Sequence, residues 1–337
     1  MKLCLVTGAT GCVGSHVAER LIQDGHRVRT LVRPSSDTKL IDQWSIEKIV
    51  GDLTDTAALR RAAEGVNLIV HCAAKVGDWG PVDEYRRANV EGLRVLLETA
   101  AGHKLDRFVQ VSSLGVYEAR DHFGTDETTP PATQHIDGYT QSKTEAEHLA
   151  LEFHKTRGVP VVVVRPGLIY GPRDRVVVPR LMEKIGNGQF RYFGSGDKAM
   201  NSIYVGNLVD AIMLAIQNPA AVGQIYNVTD DDPTSKRRFF GTAARLAGLP
   251  EPTRKIPLGL ARFLAPIFAG IAHLRGGTKP PLINQARIKF LGLNLDYSCA
   301  KAKRELGYKP RWTFDDGMKS TIDWFRSEGL IKPQNGR

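Results

Sequence analysis

Residues 1–33 read MKLCLVTGATGCVGSHVAERLIQDGHRVRTLVR, and their pattern decides the fold. An apolar run from Leu3 to Val6 stops at Thr7, after which glycines recur at Gly8, Gly11 and Gly14. This reads as a buried strand, a turn and an amphipathic helix over Ser15–Asp24, closed by Gly25 and followed by a second strand, Val28–Val32. Each glycine has its own task. Gly8 can take a tight strand-to-helix turn, Gly11 leaves bare backbone for a diphosphate to approach, and Gly14 lets the helix lie close on its strand. Unpaired N–H groups at the helix N-terminus, backed by the positive end of the helix dipole, would hold that anion. The spacing is G-x-x-G-x-x-G, so the glycines alone are a weak signal and take their meaning from the elements on either side.

Further strands are predicted near Glu47–Val50, Leu68–Cys72, Phe108–Ser112 and Val161–Arg165, with helices near Ala57–Glu64, Glu84–Ala101 and Tyr139–Lys155. Alternation of this kind, with continuous Val/Ile runs, predicts an α/β fold: a doubly wound Rossmann parallel sheet covered on both faces. Residues 1–170 are expected to form the dinucleotide-binding domain. Residues 171–337, where Pro and Gly clusters replace the alternation, are read mostly as a smaller C-terminal substrate-binding region, with 200–230 returning to the sheet through a strand at Gln224–Val228. Ligands of such sheets bind beyond the carboxyl ends of the strands. Chemistry is therefore sought at Gly8–Gly14, Arg33, Asp52-Leu53, Ala73–Pro81, Ser113–Tyr117 and Pro166–Pro172.

The 337 residues, 42% apolar and 24% charged, suit a soluble protein with a sizeable core. The formal charge of +10 is spread over scattered Lys and Arg, with no basic tract interleaved with aromatics, so no nucleic-acid partner is expected. An anionic cofactor or an anionic membrane surface suits that charge better. Cys4, Cys12, Cys72 and Cys299 show no C-x-x-C pair and no metal spacing, so no metal is expected and the thiols are read as reduced. A strand beginning at residue 2, with no small-residue cleavage site, adds to the expectation of a cytoplasmic protein.

One apolar segment, Ile256–Leu274, reads IPLGLARFLAPIFAGIAHL. A membrane span needs about 20 uninterrupted apolar residues, and Arg262, Pro266 and His273 interrupt this one. Two readings stay open. One is a buried or pocket-covering helix pair; the other is an interfacial helix flanked by Arg254, Lys255 and Arg275, peripheral to a membrane.

Tyr139 and Lys143 stand four residues apart at the start of a predicted helix and so share one face. An ammonium beside a phenol favours phenolate, which would let Tyr139 exchange a proton with an alcohol or carbonyl near neutral pH. Val111-Ser112-Ser113, ending the preceding strand, would put a hydroxyl in the same cleft.

With TGATGCVG, GDL, HCAAKV, FVQVSSLGVYE, YTQSK and RPGLIYGPRD in this order, nearly the whole chain resembles the extended short-chain dehydrogenase/reductase family. The resemblance implies that Tyr139 is the catalytic acid/base, that Lys143 lowers its pKa and bonds the nicotinamide ribose, and that Ser113 holds the substrate oxygen. By the same matching Gly8, Thr10, Gly11, Cys12, Val13 and Gly14 line the diphosphate, and Asp52 and Leu53 the adenine. Ala73, Ala74 and Ser112 border the cofactor's central part, and Pro166 to Leu168 the nicotinamide amide. Cys12 stands where relatives commonly have an aromatic residue.

Two departures discriminate. NAD-selective relatives end the second strand with an acid, whereas this chain has Leu31-Val32-Arg33-Pro34 there, which favours a 2′-phosphate and hence NADP, with NAD as the alternative. Nucleotide-sugar epimerases carry an asparagine in the loop after the sixth strand, where this chain has the apolar Pro166–Ile169. From Arg165 onward the chain is more similar to the 3β-hydroxysteroid and sterol-4α-carboxylate 3-dehydrogenase branch. The expectation is an oxidoreductase moving hydride between a nicotinamide and a secondary alcohol or ketone of an apolar, sterol-like small molecule. The rivals are a nucleotide-sugar epimerase or reductase and a non-catalytic NADP-binding sensor or assembly subunit. A homodimer is compatible with every one of them.

Overall fold

The computed structural model describes residues 1–175, 177–274 and 280–331. In chain order the first half runs β1 (Leu3–Thr7), α1 (Cys12–Gln23), β2 (Arg27–Val32), β3 (Ile46–Val50), α2 (Thr56–Ala63), β4 (Leu68–His71), α3 (Val82–Arg86), α4 (Gly92–Ala100), β5 (Arg107–Val111), β6 (His122–Thr125), α5 (Gly138–Arg157) and β7 (Val161–Pro166). It continues with β8 (Leu168–Tyr170), α6 (Val177–Gly186), β9 (Tyr192–Phe193), β10 (Ser202–Tyr204), α7 (Val205–Gln217), β11 (Ile225–Val228), α8 (Lys236–Ala247), β12 (Lys255–Ile256), α9 (Leu258–Leu274), α10 (Gln285–Gly292), β13 (Leu295–Tyr297), α11 (Ala300–Leu306) and α12 (Phe314–Ser327).

Seven strands form one sheet in the order β11-β7-β5-β4-β1-β2-β3, and every neighbouring pair is parallel. The Val/Ile runs explain this. Successive side chains of a strand point to opposite faces, and here both faces are covered. Cys4, Val6, Val162 and Val164 pack with α1 and α7 residues such as Val17 and Leu208. Leu5, Val161 and Val163 pack on the other side with Leu97, Leu149 and Phe153. The order reverses between β1 and β4, which places a crevice at their carboxyl ends.

The turn after β1 depends on two glycines. Gly8 has φ +76°, a left-handed backbone that disfavours other residues. A Cβ on Gly14 would lie 2.2 Å from the Gly8 carbonyl oxygen, so only glycine lets α1 close onto the loop.

Two expectations change. The helix predicted over Glu84–Ala101 is broken by a π-helical turn, Arg87–Glu91, whose extra residue turns Asn89 inward. Within Ile256–Leu274 there is one helix, α9, and not a pair; it begins at Leu258, after Ile256 of β12, and holds Pro266 inside it. The hydrogen bond that Pro266 removes belongs to the carbonyl of Arg262, an exposed residue whose backbone water can serve, so the helix continues. Among the described residues no helix is long and apolar enough to cross a membrane.

Below the crevice, Arg165 of β7 and Glu147 of α5 form an ion pair, Nη2 to Oε2 2.6 Å, with both side chains 1% exposed. Ser112 donates its hydroxyl to Glu147, and Arg165 donates to the Tyr117 hydroxyl at 2.9 Å. Glu147→Ala leaves a buried guanidinium without its carboxylate and is expected to cost about 3–5 kcal/mol of unfolding free energy. Replacing both partners with apolar residues should cost less than this single change in denaturant titration.

Candidate active site

Four strand ends deliver the candidate groups to one crevice: Gly8–Gly14 after β1, Ala73 and Ala74 after β4, Ser113 after β5 and Pro166 at the end of β7. Several other helices are capped by side chains, Asp55 on α2, Asp137 on α5, Ser235 on α8 and Thr313 on α12, although α3, α4, α7 and α11 are not. On α1 the capping position is Gly11, which has no side chain to offer. The first bond back into the helix is Ser15 N–H to Gly11 O at 3.0 Å, so the N–H groups of Cys12, Val13 and Gly14 precede the helical ladder. Gly11 is exposed. Thr10, Cys12 and Val13 are half-buried around it, and the Cys12 thiol donates to Pro172 O at 3.4 Å, tying the loop to the segment after β8.

The floor of the crevice is fixed by Thr7. Its hydroxyl accepts from Ala73 N–H at 3.1 Å and shares a 2.8 Å hydrogen bond with His71 Nδ1. Burial, with the Lys143 charge acting in the same direction, pushes His71 down to about 3, so it is neutral and serves to hold the loop.

Tyr139, Lys143 and Glu147 follow one another at four-residue spacing on α5, a single stripe facing the sheet. Tyr139 is hydrogen-bonded to the Ser113 side chain. Ser113 Oγ also accepts from Gly115 N–H at 3.0 Å, which fixes its rotamer. Lys143 Nζ donates to Val111 O at 2.8 Å and stands 5.9 Å from the centre of the Tyr139 ring. Thus Ser113, Tyr139 and Lys143 meet. Ser112 is different: it is 3% exposed and its hydroxyl turns down to Glu147.

One electrostatic expectation is reversed. A lowered phenol pKa was expected from the neighbouring ammonium, yet burial pushes Tyr139 up to about 12, the bond to Ser113 countering this only in part. Lys143 is itself pushed down by burial to about 8, with Cys72 and Glu147 acting against that fall. Desolvation outweighs the pair's attraction here, because the ammonium bonds a carbonyl and does not touch the phenol oxygen.

At the far end of the crevice Arg33 is exposed just after β2, and its charge helps hold the Asp52 carboxyl below its usual value, behind the larger effect of Thr54. Thr54 donates to Asp52 Oδ1 from its N–H at 2.7 Å and its hydroxyl at 2.6 Å. Leu53 is half-buried beside them, as are Ala74 and Leu168 at their own positions, while Pro166 is buried.

Sequence reasoning missed three residues. Asn89 accepts from Lys75 N–H at 2.7 Å and donates to Lys75 O at 3.0 Å and Ser142 Oγ at 2.9 Å, clamping the loop after β4 to α5. Lys289 of α10 donates to Gly115 O at 2.8 Å and also to Tyr117 O, holding the Ser113 loop from outside. Arg287 donates to Asp78 Oδ2 at 2.8 Å across the crevice mouth. A polar residue on the buried side of a helical pattern was a readable signal for Asn89; the other two depend on contacts across 174 and 209 positions, which no local pattern reports.

The model of the NAD dependent epimerase/dehydratase family matches residues 4–229. A 2-alkyl-3-oxoalkanoate reductase of Stenotrophomonas maltophilia is 30% identical over 334 residues, covering 95% of this chain and 98% of that one. A 3 beta-hydroxysteroid dehydrogenase/Delta 5→4-isomerase of Mycobacterium tuberculosis is 30% identical over 336 residues, with 96% and 90% covered. Among solved structures, the crystal structure of gox2253 superposes with a TM-score of 0.83 at 31% identity, covering 98% of this chain and 100% of that one.

The Lys143 ammonium is present below about pH 8 and lost above it. If that charge serves the crevice, kcat/KM falls on an alkaline limb near pH 8. Lys143→Arg, which does not titrate in this range, should remove the limb whatever it does to the plateau; a limb that stays in place would assign it to another group.

Proposed function

The chain belongs to the NAD dependent epimerase/dehydratase family, and on that premise we propose that it is a nicotinamide-dependent oxidoreductase acting on a ketone or secondary alcohol of an apolar small molecule. The observation that carries this reading is the junction of Ser113 and Tyr139 by a hydrogen bond above the Lys143 ammonium, at the carboxyl ends of the strands. The residues fit a dinucleotide. Gly11 offers bare backbone and the first turn of α1 offers free N–H groups for a diphosphate. Ala73 and Ala74 would border its centre, and Pro166 to Leu168 its nicotinamide end. Asp52 and Leu53 would flank the adenine. Arg33 favours a 2′-phosphate, hence NADP over NAD.

A nicotinamide held there would supply or accept the hydride. The chain does the rest. Ser113 orients the substrate oxygen by hydrogen bonding, and Tyr139 passes its phenolic proton to that oxygen as it gains charge. A phenol held up at about 12 is protonated in the free protein, which equips Tyr139 to donate and so supports the reduction of a ketone. The Lys143 ammonium stabilises the phenolate left behind until solvent restores the proton. An apolar substrate is supported by the absence of a polar anchor in Pro166–Ile169. It is also supported by the relatives, whose names place a ketone or hydroxyl on an alkyl chain or a steroid. A peripheral membrane contact through 256–274 belongs to the same reading.

Tyr139→Phe keeps the ring and removes the proton, so turnover should fall by at least about 10²-fold with cofactor affinity nearly unchanged. Near-normal turnover would sink the catalytic assignment. Arg33→Asp repels a 2′-phosphate yet can accept from a 2′-hydroxyl, and should weaken NADP binding far more than NAD binding in a titration of both.

A further inference from the structure

We propose that the outer face of α9 is a docking surface for an anionic lipid bilayer, on which the helix lies in the plane of the head groups. This deepens the reading of an apolar substrate but stands on its own observations. Leu260, Phe263, Ile267, Ile271 and Leu274 are 48%, 68%, 47%, 41% and 89% exposed. Their spacing of three and four residues puts them on one side of the helix. The adjoining side, about 100° round the helix, is well packed: Ala261 and Ala265 are buried against Phe193, Ile283 and Ile288, with Leu264 and Phe268 beside them. The apolar face outside is therefore not a core face left uncovered by loose packing. Both faces are apolar, and only the one at Ala261 and Ala265 belongs to a packed cluster among the described residues.

Charge selects the occupant. Between Glu251 and Asp296 the chain contains no Asp or Glu, while Arg254, Lys255, Arg262, Arg275 and Lys279 fall within that interval; Arg287, also there, is already paired with Asp78, and Lys289 is buried. Arg254, Lys255 and Arg262 are exposed at and before the start of α9; Arg275 and Lys279 lie outside the described residues. A second copy of this face would bring like charges together, with no carboxylate in the segment to answer them. An anionic bilayer answers both features, its acyl boundary taking the five side chains and its phosphates the cations. The far side of α9 packs on α10, which in turn reaches the crevice through Lys289 to Gly115 O and through Arg287 to Asp78. One packed layer thus separates the lipid face from the loops at the mouth of the site.

Flotation of the full chain with phosphatidylcholine vesicles, with and without phosphatidylglycerol, tests the proposal. Binding is expected to the anionic vesicles, to weaken as salt is raised, and to fall at least about tenfold in the double variant Phe263→Ser, Ile267→Ser. That variant should melt close to the wild type, because both side chains are exposed and lie outside the packed cluster. Phe263→Trp should move its emission to the blue on anionic vesicles. Failure of the wild type to bind, binding unaffected by the double substitution, or a much earlier melt in that variant would overturn the proposal. A dimer that the substitutions dissociate would assign the face to a second copy instead. Turnover of a water-soluble ketone without vesicles checks the catalytic reading separately, so the two can fail independently.

Discussion

The buried pair of Arg165 and Glu147 is the constraint on which the crevice depends. Two ions at 1% exposure lose their hydration, and they are tolerated only because each is closely bonded: Glu147 by Arg165 and Ser112, Arg165 by Glu147 and Tyr117. The consequence is geometric. A helix lying on a sheet by apolar contact alone can rotate or slide at small cost, whereas a bidentate guanidinium and carboxylate fix its angle. Glu147 sits on the same stripe as Lys143 and Tyr139, so fixing Glu147 fixes where the ammonium and the phenol point. Tyr117 extends the network to Asn227 of the edge strand at 3.0 Å, which ties the helix to β7, β11 and the residue that follows β5.

Much of this was legible beforehand, for reasons that differ by element. The parallel sheet could be read because strands buried on both faces must be apolar at every position, and Val161–Val164 is. The β1 turn could be read because its glycines answer to sterics that tolerate no other residue, as the 2.2 Å approach at Gly14 makes plain. Tyr139 and Lys143 could be paired because a helix repeats. The direction of the Tyr139 pKa could not, because spacing shows which charges are near and not how much water they have lost. In this crevice burial decides the sign for the phenol, the ammonium and His71 alike. The helix at 256–274 was ambiguous for a related reason. Apart from Arg262 and His273 its residues are apolar on every side, so periodicity could not separate the packed side at Ala261 and Ala265 from the exposed side at Phe263 and Ile267.

What remained hidden is the way the C-terminal residues complete the site. Lys289 is 8% exposed and pushed down by burial to about 8, the Asp137 charge opposing that fall, and its ammonium goes to the carbonyls of Gly115 and Tyr117. Gly115 in turn donates its N–H to Ser113 Oγ. The hydroxyl that faces Tyr139 is therefore held through a short chain of bonds by a side chain of α10. Asp78, on the loop after β4, is held by the same helix through Arg287 and Asn284. These two loops border the crevice on the side of α10. A displacement of α10 shifts both loops together, and with them the Ser113 hydroxyl beside Tyr139. The C-terminal helix α10 and the N-terminal loops that carry Asp78 and Ser113 are in this way one mechanical unit, although the residues involved are separated by most of the chain.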